Sequence, residues 1–509
     1  MNELYRVIEK KIKASGYPRA ISGEAVYDDI CDQIEGKENG MYILLSKFEE
    51  DVVFEYHITI LDDDFKYIWR PFTPMKSLEN PENKPLVITR GKGIYLEDID
   101  GNKYIDSVSS WWTNTLGHSN ERINKVINEQ INKIEHVIFG GCTHEPAVNF
   151  AKTIIEMTNN SLKHVFFSDN GSTAVEVALK MAYQYQVLKG HSEKHKFIAL
   201  KNSYHGDTLG AVSVGGVDMY HKVYKPLLFE VIKAESPYCY RCPMHCNKET
   251  CHADCLKSVE DILKKEAANI AGIIIEPLVQ AAGGMIMYPP KYITGLRKLC
   301  DKFNILLIDD EVATGMFRTG KLFAYEHAGV VPDIVCSAKG LTAGYMPFSI
   351  TLATDEIYNA FYVDDVDGYR TFYHGHTFTA YPMAAAVANE TLKIYKELNM
   401  EEYLKPKIKK FGEELEKFKS HPNVGDVRQT GMICAIELVK DKKTKEPFKY
   451  EDGIGKKIYT EGLKLGAILR PMWNCIYFLT PYVITEEEIK KLTDIAYSAL
   501  NKVLPSENK

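Results

Sequence analysis

The chain has 509 residues, 45% of them hydrophobic and 26% charged, with a formal net charge of −7. That length exceeds what one ordinary core supports, so two or three domains are expected. The composition is that of an ordinary soluble globular protein, and the negative balance argues against a generic nucleic-acid surface. No apolar run reaches the roughly 18 residues of a membrane span, and the charged start MNELYRVIEKKIK lacks the apolar stretch of a secretory signal. Eleven cysteines without such a signal suggest a reducing cytoplasm, with thiols or metal ligands in place of disulfides.

Residues 1–66 read as a small appended α+β unit, with a helix over ELYRVIEKKIKAS and strands over YILLSKF and VVFEYHITI. Residues 67–120 then carry a β-meander, VITRGKGIYLEDIDGNKYIDSV, with turns at Gly91-Lys92-Gly93 and Asp100-Gly101. Over 121–390, short apolar runs alternate with helical patterns: HVFFS, KFIAL, AGIIIEP, NILLIDD and PDIVCSA. Runs that are apolar throughout suit strands buried on both faces, and the interleaved helices imply a parallel α/β sheet. Residues 391–509 return to charged helices, then ICAIELV and a final strand pair around AILRP and CIYFLTP, a second and smaller α+β domain.

In an open α/β sheet a ligand sits outside the carboxyl ends of the strands. After HVFFS, Gly171 and Ser172 open a strong helix. Small residues there let backbone N–H groups and a hydroxyl approach an anion, and the helix dipole favours it; a plain strand-to-helix turn is the alternative. NILLI is followed by Asp309, Asp310 and Glu311, and PDIVCSA by Lys339 and Gly340. A lysine directly after an apolar strand can be desolvated, with a lowered pKa and nucleophilic character. A carboxylate and such a lysine at adjacent strand ends suggest a pyridoxal phosphate site. Tyr204, after KFIAL, offers an aromatic face for the ring, or core filling.

GMFRTGKL, Gly315–Leu322, nearly matches a phosphate loop, but Leu322 stands where the magnesium-binding hydroxyl belongs. A nucleoside triphosphatase is therefore not expected. SSWW places Trp111 beside Trp112, either as core or as a pocket wall. Cys239, Cys242, Cys246, Cys251 and Cys255, with His245 and His252, form a dense patch. Its CxxC start suits zinc ligands; a loop of reduced thiols is the bland alternative.

From about Trp69 onward, about 440 of 509 residues resemble the class III pyridoxal-phosphate aminotransferases. The class-level match is LLIDDEVATGMFRTG with Lys339 twenty-nine residues after Asp310. Further matches are WRPFTPM, SSWW, HVIFGGCTHEPA, SDNGSTAVEVALKMAYQY, YHGDTLGAVSVGG, LVQAAGGMIMYPP, ILRP and LTPY. The resemblance implies fold type I: a large, mostly parallel-sheet domain and a smaller α+β domain built from both ends of the core. It implies pyridoxal 5′-phosphate as cofactor, with Lys339 as the Schiff-base lysine and Asp310 at the ring nitrogen. It also implies Tyr204 on the ring, Gln280 near the phenolic oxygen, and Gly171 and Ser172 on the phosphate. Thr377 is implied to reach the phosphate of a neighbouring subunit, and hence a homodimer.

For substrate, the resemblance implies Trp111 as a cavity wall, Arg470 as the anchor of a distant carboxylate, and Asp207, Gly340, His376 and Phe72 nearby. Trp112 is implied to pack, and Arg318 lies near the site or in a structural ion pair. The implied reaction is amino transfer to 8-amino-7-oxononanoate in biotin biosynthesis, in the cytoplasm, with no metal in the chemistry. Phe72, His376 and Met316-Phe317 replace the more usual tyrosine, proline and Phe-Gly. The donor is S-adenosylmethionine in most of the family and lysine in some members that carry phenylalanine at the first of these positions; another ω-amine or diamine is the alternative.

Overall fold

A computed structural model describes residues 60–506, apart from 81–82, 247–249, 365–367 and 369. The helix and strands expected before residue 60 lie outside the described residues. The chain forms two compact units, one ending at Gly91 with Leu96–Tyr104 added, the other made of Lys92–Tyr95 and Ile105–Lys509.

The expected meander is the three-stranded sheet β1 (Ile88–Lys92), β2 (Tyr95–Asp98) and β3 (Lys103–Ile105). Its second turn is organised by Asp98, whose carboxylate accepts from the backbone N–H of Asp100 and Asn102 and from the Tyr104 hydroxyl. Gly101 takes φ +81°, a conformation that suits glycine.

The second unit is built on a seven-stranded sheet. Its strands are β4 (His164–Ser168), β5 (Lys196–Leu200), β6 (Val231–Ala234), β7 (Ile270–Ile275), β10 (Leu306–Asp310), β11 (Ile334–Ser337) and β12 (Ser349–Ala353), in the order β4-β12-β11-β10-β7-β5-β6. Between β7 and β10 lies a short two-stranded hairpin of β8 (Val279–Gln280) and β9 (Ile286–Met287). The five apolar runs all become strands of the large sheet. β6 and β12 were not legible in the sequence. β12 runs antiparallel to both neighbours, which breaks the alternation of strand and crossover helix that a parallel sheet imposes.

The longer helices are α1 (Glu121–Ile131), α2 (Glu145–Met157), α3 (Gly171–Leu188), α4 (Leu256–Glu266), α5 (Pro290–Phe303), α6 (Pro382–Glu397), α7 (Met400–Lys419), α8 (Ile454–Lys464) and α9 (Glu486–Val503). Strand side chains alternate between faces. Phe197, Ala199, Ile274, Leu306 and Ile308 pack with α3 on one face. Ile198, Leu200, Ile273, Ile275 and Leu307 pack with α4 and α5 on the other.

The C-terminal sheet has the order β13 (Val424–Thr430), β14 (Ile433–Leu438), β15 (Cys475–Phe478). ICAIELV and CIYF are strands as expected. AILRP is not: Ala467 makes an isolated bridge to Ile105, and β13 fills the place expected of it. Buried Arg428 on β13 ties this sheet together. It pairs with Glu437 at 2.7 Å and Asp426 at 2.9 Å, and donates to the carbonyls of Gly284 and Met285 in the turn between β8 and β9. Replacing it with leucine removes one of the two cations paired with Glu437 among the described residues. Arg428→Leu is expected to lower the unfolding free energy by about 3–5 kcal/mol, read by denaturant titration against the parent protein.

Candidate active site

Three strand ends converge because β7, β10 and β11 run parallel. Asp310 closes β10, Glu276 follows β7, and Lys339 follows β11 by two residues. The double acid is resolved by the two-residue period of the strand. Asp309 turns toward the α5 face, buried with neither oxygen bonded to a described residue, and burial holds its carboxyl well above the usual range. Asp310 turns to the opposite face. It accepts from Val312 N at 3.1 Å, and its other oxygen lies 2.7 Å from His205 Nδ1.

Lys339 has φ +45°, a strained setting for a non-glycine residue. Burial pushes its ammonium down to about 8, against the opposing pull of Asp310 and Glu276; Arg318 adds to the lowering. The residue as a whole is half-buried, with its amine desolvated. Burial and then the field of Asp310 push Glu276 up to about 8, although Tyr204 N and Ala281 N both donate to it at 2.8 Å.

Gly171 and Ser172 form the first turn of α3. Asn170 caps it by accepting from Thr173 N, which leaves the N–H groups of Gly171 and Ser172 for a ligand. Asp207 N donates to Ser172 Oγ at 3.1 Å. Gly206 makes this approach possible: its φ is +120°, and a Cβ there would meet Ser172 Oγ at 1.9 Å. At Gly171 a Cβ would meet Val312 Cγ1 at 2.6 Å, so the helix start lies tight against the segment after Asp310.

Residues Ser109–Trp112 form a single left-handed turn, with φ between +45° and +73° at all four. Its two tryptophans diverge. Trp112 is buried, its indole N–H donates to Tyr477 Oη at 3.3 Å, and the Lys339 amine lies 4.7 Å from its ring centre. Trp111 is 41% exposed and carries the Arg470 guanidinium 4.4 Å from its ring centre. Arg470 also donates to Tyr477 Oη at 3.3 Å. The Arg318 guanidinium, fully buried, donates to the carbonyls of Thr480, Trp112 and Asn114. It makes no ion pair among the described residues, so the structural ion pair allowed by the sequence is replaced by a backbone brace.

Tyr204 donates its hydroxyl to Asp207 at 2.7 Å. Gln280 is fully buried and bonded to Ser236 Oγ and to the Lys201 carbonyl. Gly340 is buried, with Met316 at 2.8 Å from where a Cβ would stand. His376 lies 2.8 Å from Asp169, Thr377 is exposed between exposed Tyr373 and Phe378, and Phe72 is exposed in the first unit. Three residues around Asp310 were given no role by the sequence: His205, noted only for its company with Gly206 and Asp207, Glu276 and Val312. His205 and Glu276 share the signal that exposed Asp310, since each directly follows a strand or its first loop residues.

The family model for class-III aminotransferases matches residues 78–500. The chain belongs to the class-III aminotransferase family. It is 46% identical over 439 residues to the adenosylmethionine-8-amino-7-oxononanoate aminotransferase of Geobacter sulfurreducens, covering 86% of this chain and 96% of the relative. The crystal structure of the enzyme of that name from Methanocaldococcus jannaschii superposes with a TM-score of 0.83 at 43% identity, over 88% of this chain and 99% of the other. The omega transaminase of Pseudomonas jessenii in complex with PMP gives 0.83 at 31% identity, over 87% and 98%. Class-III aminotransferases depend on pyridoxal phosphate, and this chain is a pyridoxal-phosphate-dependent transaminase. Its residues fit the group. A desolvated amine, a carboxylate braced by a buried histidine, and a helix start with open N–H groups match an aldehyde, a ring nitrogen and a phosphate.

Two outcomes follow for this class-III aminotransferase. Gly206→Ala forces methyl and Ser172 hydroxyl apart and is expected to raise the Kd for pyridoxal phosphate about tenfold or more, a loss of about 1.4 kcal/mol, read by fluorescence titration of the cofactor-free protein. An amine with its pKa near 8 is ammonium below that pH and free base above it. Reductive methylation of cofactor-free protein should therefore modify Lys339 with a rate rising through about pH 8, whereas surface lysines rise near their usual value of about 10.4, as peptide mass mapping would report.

Proposed function

We propose that the chain transfers an amino group to the ketone of 8-amino-7-oxononanoate, giving 7,8-diaminononanoate for biotin synthesis, with S-adenosylmethionine as donor. The single observation that carries this reading is the linked set Lys339, Trp112, Tyr477, Arg470 and Trp111. It sets a reactive amine, an aromatic wall and a cation in one connected arrangement. A long aliphatic keto acid needs an apolar slot with a charged anchor at its far end. Stacking on Trp111 engages the face of the Arg470 guanidinium and leaves its edge for a carboxylate. The name shared by the Geobacter sulfurreducens and Methanocaldococcus jannaschii relatives supports the same substrate and donor.

Pyridoxal phosphate, when bound, supplies the carbonyl that takes up the amino group and the ring that accepts the electron pair left on carbon. The chain's own groups do the rest. Lys339 Nζ, lowered to about 8, takes the proton from the carbon that bears the amino group and returns one later. Asp310, fixed by His205 and Val312 N, keeps the ring nitrogen protonated. Gly171 and Ser172 would hold the phosphate, Tyr204 would cover the ring, and Gln280 would lie toward its phenolic oxygen. Asp207, Gly340 and His376 would border the substrate. Thr377, exposed beside Tyr373 and Phe378, reaches a second copy in a cytoplasmic homodimer. The same reading keeps a large domain over 121–390, a small domain from 67–120 and 391–509, and residues 1–66 as an accessory unit.

Purified protein given 8-amino-7-oxononanoate and S-adenosylmethionine should form the diamine, detected by mass spectrometry; diamine only with lysine would move the donor, and none with either would move the acceptor. Arg470→Ala should raise KM for the keto acid about 10–100-fold and leave the reaction with a short amine lacking a carboxylate nearly unchanged.

A further inference from the structure

The segment from Cys239 to Cys255 joins β6 to α4, and amino transfer gives it no task. Its described residues hold one short 3-10 turn, Cys239–Arg241, before α4 begins at Leu256. Polar contacts fasten it to the C-terminal sheet: the Tyr238 hydroxyl donates to Glu437, Arg241 Nε donates to Glu437 at 3.0 Å, and Arg241 Nη1 donates to the Lys445 carbonyl at 2.7 Å.

Four of the five cysteines divide into two sets. Cys255 is buried in the apolar cluster over α4 and α5, and Cys239 packs against that cluster. Both act as core residues. Cys246, Cys251 and Asp254 instead face one another, with ligand atoms all within 4.8 Å. Both thiols donate to one carboxylate oxygen, Asp254 Oδ2, at 3.4 and 3.5 Å. Ala253 N donates to Cys251 Sγ at 3.2 Å and His252 N to Asp254 Oδ2 at 3.3 Å, the kind of outer bonds that orient metal ligands.

We propose that this loop binds one zinc ion through the thiolates of Cys246 and Cys251 and the carboxylate of Asp254, with a water molecule completing the shell. Soft thiolates and a carboxylate suit tetrahedral zinc. Binding replaces two thiol protons, which pass to solvent, and no electrons move. The ion fixes a loop that holds Glu437 and, through β14 and β15, the strand that carries Tyr477.

The test is metal analysis of the full-length protein purified without chelator. About one zinc per chain is expected, bound more tightly than about 0.1 µM. A Cys246→Ser/Cys251→Ser variant should lose it, and Cys142→Ser, at an exposed thiol elsewhere, should keep it. Should the double variant fail to fold, chelator-stripped parent protein titrated with cobalt should show a thiolate-to-cobalt charge-transfer band that saturates at about one equivalent. The proposal is overturned by a protein that carries no zinc and takes up neither ion, by a disulfide between loop cysteines in the purified chain, or by zinc retained in the double variant.

Discussion

The ends of β7, β10 and β11 hold a lysine amine and two carboxyl groups in one poorly hydrated place. Charges there cost several kcal/mol each unless they are paired or shifted, and the protein uses both means. Glu276 rises to about 8, so its carboxyl is largely neutral around pH 7, and Lys339 falls to about 8, so its ammonium gives up a proton more readily than a surface lysine does. Asp310 stays braced by His205 and the Val312 N–H, and Glu276 by two backbone N–H groups. Parallel strands make the convergence possible, because their carboxyl ends share one edge of the sheet.

Around this centre the backbone is strained where the site needs unusual directions. Four successive non-glycine residues, Ser109–Trp112, sit in the left-handed region, at roughly 1–2 kcal/mol each. The turn persists because its surroundings dictate it. Ser110 N and Oγ donate to Asp106, Ser109 Oγ donates to the Leu479 carbonyl, and the Trp112 carbonyl accepts from Arg318. The result is that adjacent tryptophans point to different tasks, one beside Lys339 and the other beneath Arg470. A right-handed helical turn over the same residues has no such constraint from Asp106 and Leu479. Strain at a site, offset by long-range bonds, is what a positioned pair of side chains requires.

Glu437 links the site to the periphery. Arg428, Arg241 and Tyr238 all bond to it. Its strand β14 pairs with β15, where Tyr477 accepts from Trp112 and Arg470. The thiol loop and the C-terminal sheet therefore meet at one buried carboxylate, and the β8–β9 hairpin is tied to it through Arg428.

Much of this was legible in the residues. The five apolar runs, the lysine and acid at strand ends, and the glycine and serine that open α3 are local signals, because strand burial and helix initiation leave their marks within a few residues. Asp309 and Asp310 had to face opposite ways, since strand side chains alternate; which of them faced Lys339 depended on where α3 and α5 pack. Antiparallel β12, the short edge strand β6 and the replacement of AILRP by β13 were decided by pairing with distant strands, for which short runs carry no mark. His205 beside Asp310, Arg470 over Trp111 and Tyr477 bonded to Trp112 are contacts across 105 to 365 residues. The sequence by itself determined the chemistry available at each strand end; only the tertiary structure decided which groups meet, because charge, stacking and hydrogen bonding act through space and not along the chain.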